Sequence, residues 1–207
     1  MKALSFVLLL VLIGCNKPFS DQTVVGIQSY DGFPAEKTAL VANAIADFYK
    51  VRTLVLPHLK LYPEAFVNVK SPRYRADSII RIQKRKIPDG VDFILGLTDK
   101  DISITKKDED GNVRLPASKY SDWGIMGLGY RPGKSCVVST FRLKSNHKAQ
   151  HFSRLKKVAV HEFGHNLGLD HCPDKKCVMT DAVESIATIG NALLELCKVC
   201  QSKVGIQ

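Results

Sequence analysis

The sequence has no internal repeat, no low-complexity tract and no basic segment interleaved with aromatic residues. The first two absences exclude a repeat array and a compositionally biased tail, and the third removes the stacking surface that nucleic-acid modules need. An apolar stretch of transmembrane length is missing as well. The run from Ala3 to Ile13, interrupted only by Ser5, is about half of what a spanning helix requires, so an ordinary transmembrane anchor is disfavoured. Nothing marks a second domain: 207 residues, less a short leader, suit one compact unit able to bury its own core.

What is present is ordinary for a soluble globular protein. With 45% hydrophobic and 24% charged residues, neither wholesale disorder nor a multi-pass membrane protein is a good reading. The formal charge of +10 suits nucleic acid, anionic lipid or acidic substrates in principle. The basic residues are scattered, however, in short groups such as Arg81, Lys84, Arg85 and Lys86, or Lys156 and Lys157, which read as solvated helix faces. No nucleic-acid partner is expected.

Lys2 followed by the apolar run is the charged start and short core of an export signal. Leu12, Ile13, Gly14 and Cys15 resemble the lipobox of bacterial lipoproteins, in which the cysteine is acylated and becomes the mature N-terminus. The alternative is a plain signal peptide with a cysteine near the cut. The lipoprotein reading divides the chain into a signal peptide at 1–14, a lipidated tether at 15–23 and a single domain at 24–207. It places that domain outside the cytoplasm, on the periplasmic or cell-surface side, anchored through acyl chains at Cys15.

In the body, Val24 to Ile27 and Thr53 to Leu56 read as strands around a helix carrying Leu40, Val41, Ala44, Ile45 and Phe48. Ser71 and Pro72 are read as the start of a second helix with Ile79, Ile80 and Ile87 facing inward, followed by a strand from Val91 to Leu97. Lys106 to Asn112 reads as an exposed turn, Trp123 to Tyr130 as a glycine-rich strand and Cys136 to Phe141 as a buried one. This alternation gives an α/β fold of the α+β zincin-like kind, with a twisted, mainly parallel sheet and packed helices.

The segment His161–His171 reads HEFGHNLGLDH. His161 and His165 lie one helical turn apart on one face and can reach the same zinc ion. Leu155, Ala159, Phe163 and Leu167 repeat along the opposite side, which fixes the helix against the sheet. Gly168 permits the left-handed turn that ends the helix and returns His171 as third ligand. Three nitrogens leave a fourth position open, the arrangement of a catalytic rather than a structural zinc site, and Glu162 is placed as general base toward water there. Chance would produce this pattern in roughly one chain per tens of thousands.

Beyond His171 stand Cys172, Cys177, Met179, Cys197 and Cys200, so the full pattern is HExxHxxGxxHC, four residues, Cys, one residue, Met, seventeen residues, CxxC. This resembles the archaemetzincin family over nearly the whole mature chain. The resemblance implies a metzincin-type zinc metallopeptidase with a catalytic zinc on His161, His165 and His171 and Glu162 as catalytic base. Met179 would occupy the turn beneath the metal, and Cys172, Cys177, Cys197 and Cys200 would hold a second, structural zinc in a small C-terminal zinc-knuckle and helical part. The strand near Gly127 would be an antiparallel edge strand along which an extended peptide lies. Many members lack an export signal, and the leader of this chain departs from them.

Peptide or protein substrates are thus expected, acted on by a monomer carrying two zinc ions. Two alternatives stay open: a non-catalytic, zinc-stabilised peptide-binding lipoprotein on a degenerate peptidase fold, and metal capture at the cell surface. The four cysteines also admit two disulfides, since thiols oxidise outside the cytoplasm. Cys136 lies apart from them and reads as a small buried strand residue.

Overall fold

A computed structural model describes residues 19–181 and 185–206, so the leader and Cys15 lie outside the described residues. In chain order the elements are β1 (Val24–Ser29), α1 (Ala35–Tyr49), β2 (Arg52–Val55), β3 (Phe66–Asn68), β4 (Pro72–Arg75), α2 (Ala76–Arg85), β5 (Phe93–Thr98) and β6 (Ile102–Ile104). They continue with α3 (Ala117–Tyr120), β7 (Trp123–Ile125), β8 (Gly127–Gly129), β9 (Ser135–Ser139), α4 (Lys148–Asn166), α5 (Ile186–Asn191) and α6 (Lys198–Val204).

The main sheet has the order β2-β1-β5-β9-β8. Its first four strands are parallel, and β8 runs antiparallel to β9 with Gly127 opposite Val138 and Gly129 opposite Cys136. Every residue of β5 is buried, as expected of a strand paired on both sides and covered on both faces. The mainly parallel sheet with one antiparallel edge strand is therefore as the sequence suggested. Among the described residues no helix is long and apolar enough to cross a membrane.

One face of this sheet carries α1 and α4. Val41 and Ile45 of α1 meet Leu155, Ala159 and Phe163 of α4 in one core cluster with β1, β5 and β9. Phe163 lies edge-on to Tyr49 of α1 at 5.1 Å and to Phe93 of β5 at 5.3 Å, so the helix that carries the histidines is pinned from two directions. The opposite face takes Ala76, Ile79 and Ile80 of α2. Phe19 lies edge-on to Tyr49 at 6.1 Å, which seats the start of the described chain against α1.

A second sheet, of order β3-β4-β6-β7, was not legible in the sequence. Pro72 begins β4 rather than a helix, and α2 starts only at Ala76. The reason is ionic. Extended, β4 lets Arg73 reach Asp101 at 2.7 Å and Asp122 at 2.9 Å, and the Tyr74 N–H donates to the Asp101 carbonyl. Arg142 adds a bidentate pair on Asp101, both bonds at 2.8 Å. The network ties the start of β7 to β4 and to the segment after β9, and so sets where the following edge strand lies.

Candidate metal centre and active-site cleft

Helix α4 delivers two imidazoles and a carboxylate to one cleft. His161 Nε2 and His165 Nε2 stand 3.1 Å apart, against about 3.3 Å for two nitrogens on one tetrahedral zinc. The helix ends at Asn166, and Gly168 at φ 94° makes the left-handed turn that brings His171 back. Its ring centroid lies 5.3 Å from that of His161 and 4.9 Å from that of His165. One nitrogen from each of the three falls within 4.8 Å of the others.

The remaining ring nitrogens are held by backbone carbonyls. His161 Nδ1 lies 2.9 Å from the Val178 carbonyl, and His165 Nδ1 lies 2.7 Å from that of Leu169. A carbonyl only accepts, so Nδ1 carries the hydrogen and Nε2 keeps its lone pair for a metal. Burial, reinforced by the neighbouring His165 ring, pulls His161 down to about 3, and burial lowers His165 as well. Both rings are therefore neutral near pH 7, the form that binds a metal.

Glu162 faces the same cleft from between two glycines of the edge strand. A Cβ on Gly127 would stand 2.6 Å from both Cγ and Oε1 of Glu162, while one on Gly129 would run into the Glu162 carbonyl oxygen. Only glycine lets β8 approach α4 this closely. Burial raises the Glu162 carboxyl to about 8, opposed by a hydrogen bond from the Gly129 backbone. Behind the three histidines Met179 is fully buried, and a Cβ on Gly164 would meet its sulfur at 2.5 Å. Met179 therefore packs beneath the turn of helix that separates His161 from His165.

The cleft is about 380 Å³ in volume, mainly apolar, and runs between β8 and α4. Several residues that build it have no signature in the sequence. Asn166 donates to the carbonyls of Tyr130 and Ser135, both at 2.9 Å, and its own carbonyl accepts from Gly133 at 3.1 Å, clamping the loop after β8 onto the end of α4. Arg131 pairs with Asp170 at 2.6 Å across one end, and Lys157, Thr180, Ile189 and Ala192 line the rest. Only contact through the folded chain reveals these roles.

The sulfurs of Cys172, Cys177, Cys197 and Cys200 lie within 4.8 Å of one another. Cys172 Sγ and Cys197 Sγ are 3.6 Å apart, close to the ~3.8 Å edge of a tetrahedron of thiolates around zinc and far from a bond of about 2.05 Å. The Cys197 N–H donates to Cys177 Sγ at 3.4 Å, and backbone bonding at the start of α6 draws the Cys197 thiol downward. Burial moves Cys177 and Cys200 the other way. Cys136, buried in β9, stands apart from this group.

Comparison with known proteins bears directly on this arrangement. Residues 97–195, which include β8, α4 and the histidine segment, match the model of the Matrixin peptidase family. Taken with the relatives that follow, which match most of the chain, this makes the protein a zinc metallopeptidase of the metzincin type, hydrolysing peptides or proteins. The archaemetzincin of Halobacterium salinarum is 36% identical over 180 residues, covering 83% of this chain and 93% of the relative. That of Haloarcula marismortui is 35% identical over 141 residues, covering 64% and 71% respectively. The crystal structure of the Archaeoglobus fulgidus archaemetzincin, complexed with malonate, superposes with a TM-score of 0.69 at 25% identity over 87% of this chain and 99% of that one. The Methanopyrus kandleri archaemetzincin shares the fold with a TM-score of 0.71, at 23% identity over 89% and 94% of the two chains. This chain belongs to the archaemetzincin family.

Proposed function

We propose that His161, His165 and His171 hold the catalytic zinc, that Glu162 is the general base, and that Cys172, Cys177, Cys197 and Cys200 hold a second, structural zinc. The observation that carries the first part is the convergence of one ring nitrogen from each histidine on the cleft that the Glu162 carboxyl faces. Zinc bound there would supply a Lewis acid, polarising a carbonyl and acidifying water. The protein supplies the rest. The Val178 and Leu169 carbonyls orient two imidazoles, and β8, the last strand of its sheet among the described residues, offers backbone groups to an extended peptide. A cation held by the three histidines would favour the ionised form of Glu162 against the burial that raises it, and the ionised carboxylate oxygen would take a proton from the water that adds to the scissile carbonyl. The same oxygen then returns it to the amide nitrogen as the C–N bond breaks, so the base is regenerated.

Hydrolysis of a diverse peptide library by zinc-loaded protein tests this reading. Glu162→Ala should retain metal and lose about a hundredfold to ten-thousandfold in rate. A Glu162→Ala protein as active as the parent refutes the mechanism, and no hydrolysis by the parent favours the alternative of a zinc-stabilised peptide-binding protein. On the sequence of the leader we further propose a lipid anchor at Cys15 and a location outside the cytoplasm, with the protein acting as a monomer.

A further inference from the structure

The cleft carries a cation at each end, and the proposed chemistry uses neither. Arg131 closes one end and is neutralised by Asp170. Lys157 lies four residues before His161 on α4, about 6 Å along the helix in the direction away from Asp170. It lines the cleft there with Val158, Ile189 and Ala192. Its ammonium donates to the carbonyls of Ile189 at 3.0 Å and Gly190 at 3.2 Å. Both acceptors are neutral, and among the described residues no carboxylate pairs with it.

An ammonium has three donors, so two carbonyls leave one for a ligand. Burial, aided by the Arg154 guanidinium, draws the Lys157 pKa down, which means the charge is poorly compensated where it stands. A carboxylate arriving there would compensate it, and a short methylene stem behind that carboxylate would cover the apolar wall. We propose that Lys157 makes this end of the cleft select an acidic side chain, glutamate above all, at a position flanking the scissile bond. The proposal rests on the peptidase reading above and adds the substrate class to it.

Peptides identical except for Glu, Gln, Leu or Lys at each position flanking the scissile bond provide the test, read as kcat/KM with zinc-loaded protein. Glu should exceed Gln by about tenfold to a hundredfold at one position, the range of a charge-assisted hydrogen bond, with Lys the poorest. Lys157→Met should bring the Glu to Gln ratio to within about threefold of unity, and Lys157→Arg should restore it. A purely structural role, anchoring the α5 carbonyls, would lower all four peptides together and leave their ratios alone. Equal rates for Glu and Lys with the parent, or a ratio that survives in Lys157→Met, overturns the proposal, and the first result needs no variant to fold. The same peptides titrated onto Glu162→Gln by fluorescence anisotropy separate the two readings. Binding that favours Glu without any hydrolysis by the parent sinks the peptidase mechanism and keeps the selectivity, whereas equal binding of Glu and Lys sinks the selectivity.

Discussion

Gly127→Ala isolates the contact between the edge strand and the carboxyl of Glu162, the proposed general base. A Cβ at this position would sit 2.6 Å from Cγ and Oε1 of Glu162 and 2.8 Å from its Cδ. Ordinary contact between such atoms begins near 3.5 Å, so the carboxyl must retreat by about 0.9 Å. Gly127 is not among the glycines with positive φ, and alanine is therefore permitted on the backbone. The obstructing atoms, Cγ, Cδ and Oε1, belong to a side chain rather than to backbone, so rotation about χ1 relieves the clash at a cost of about 0.5–1.5 kcal/mol. For a chain of this size that corresponds to a fall in Tm of about 1–6 °C.

Catalysis should suffer more than stability. Misplacing a catalytic group by about 1 Å costs on the order of a hundredfold, or about 2.7 kcal/mol of barrier. Steady-state kinetics on a peptide substrate, with zinc content and thermal unfolding measured on the same preparation, should show kcat down about a hundredfold with zinc unchanged. Parental kcat in Gly127→Ala would refute the reasoning, because it would mean that the position of Glu162 against β8 does not matter. Gly129→Ala provides the contrast. There the obstruction is the Glu162 backbone oxygen, which cannot rotate away, so the strand itself must withdraw and stability should fall further than in Gly127→Ala.

Three further outcomes are expected. Protein purified under non-reducing conditions should contain two zinc ions and four unoxidised thiols among Cys172, Cys177, Cys197 and Cys200; one zinc with a mass showing two disulfides refutes the second site. Cys197→Ser should lose that zinc and, through the Val178 carbonyl that orients His161, weaken the catalytic metal by about tenfold to a hundredfold, so unaltered affinity at the histidine site would break the proposed link. Cys15→Ala should abolish acyl labelling and release the protein from membranes, and unchanged membrane partitioning rules the lipid anchor out.

The grouping of the three histidines was legible because it obeys local rules. Histidines four apart share a helix face whatever surrounds them, and Gly168 announces the turn that returns His171. The alternation that placed β1, α1, β2 and β5 is also local, and it survived. What failed was the region of residues 57–76, where Pro72 looked like a helix start. Its extended form depends on Asp101, Asp122 and Arg142, residues that lie between roughly thirty and seventy positions further along, and no window on the sequence contains them all. The cleft walls failed for the same reason. Nothing in the identity of Asn166 says that its amide will clamp the carbonyls of Tyr130 and Ser135, because hydrogen bonds at that sequence distance are set by packing.

The short segment Cys177–Thr180 shows why the cysteines belong to the same pattern as the histidines. Cys177 joins the thiol cluster, the Val178 carbonyl holds the His161 ring, Met179 fills the space under Gly164, and Thr180 lines the cleft. The chain between His171 and this segment is closed by the Cys172 N–H donating to the Met179 carbonyl at 2.8 Å, while Val178 is held from the C-terminal part by its N–H bond to Glu195 at 2.7 Å. Four consecutive residues therefore join the thiol cluster to the histidine cluster, and only Val178 separates the Cys177 thiol from the Met179 that packs under the helix. A metal that ties Cys177 to Cys197 and Cys200 would set the height of the Val178 carbonyl, and with it the angle at which His161 presents its Nε2. On this argument the spacing from the third histidine to the last cysteine is a constraint on the proposed catalytic site, and lengthening the chain between Cys177 and Met179 should lower the rate of peptide hydrolysis even with the three histidines and four cysteines all present.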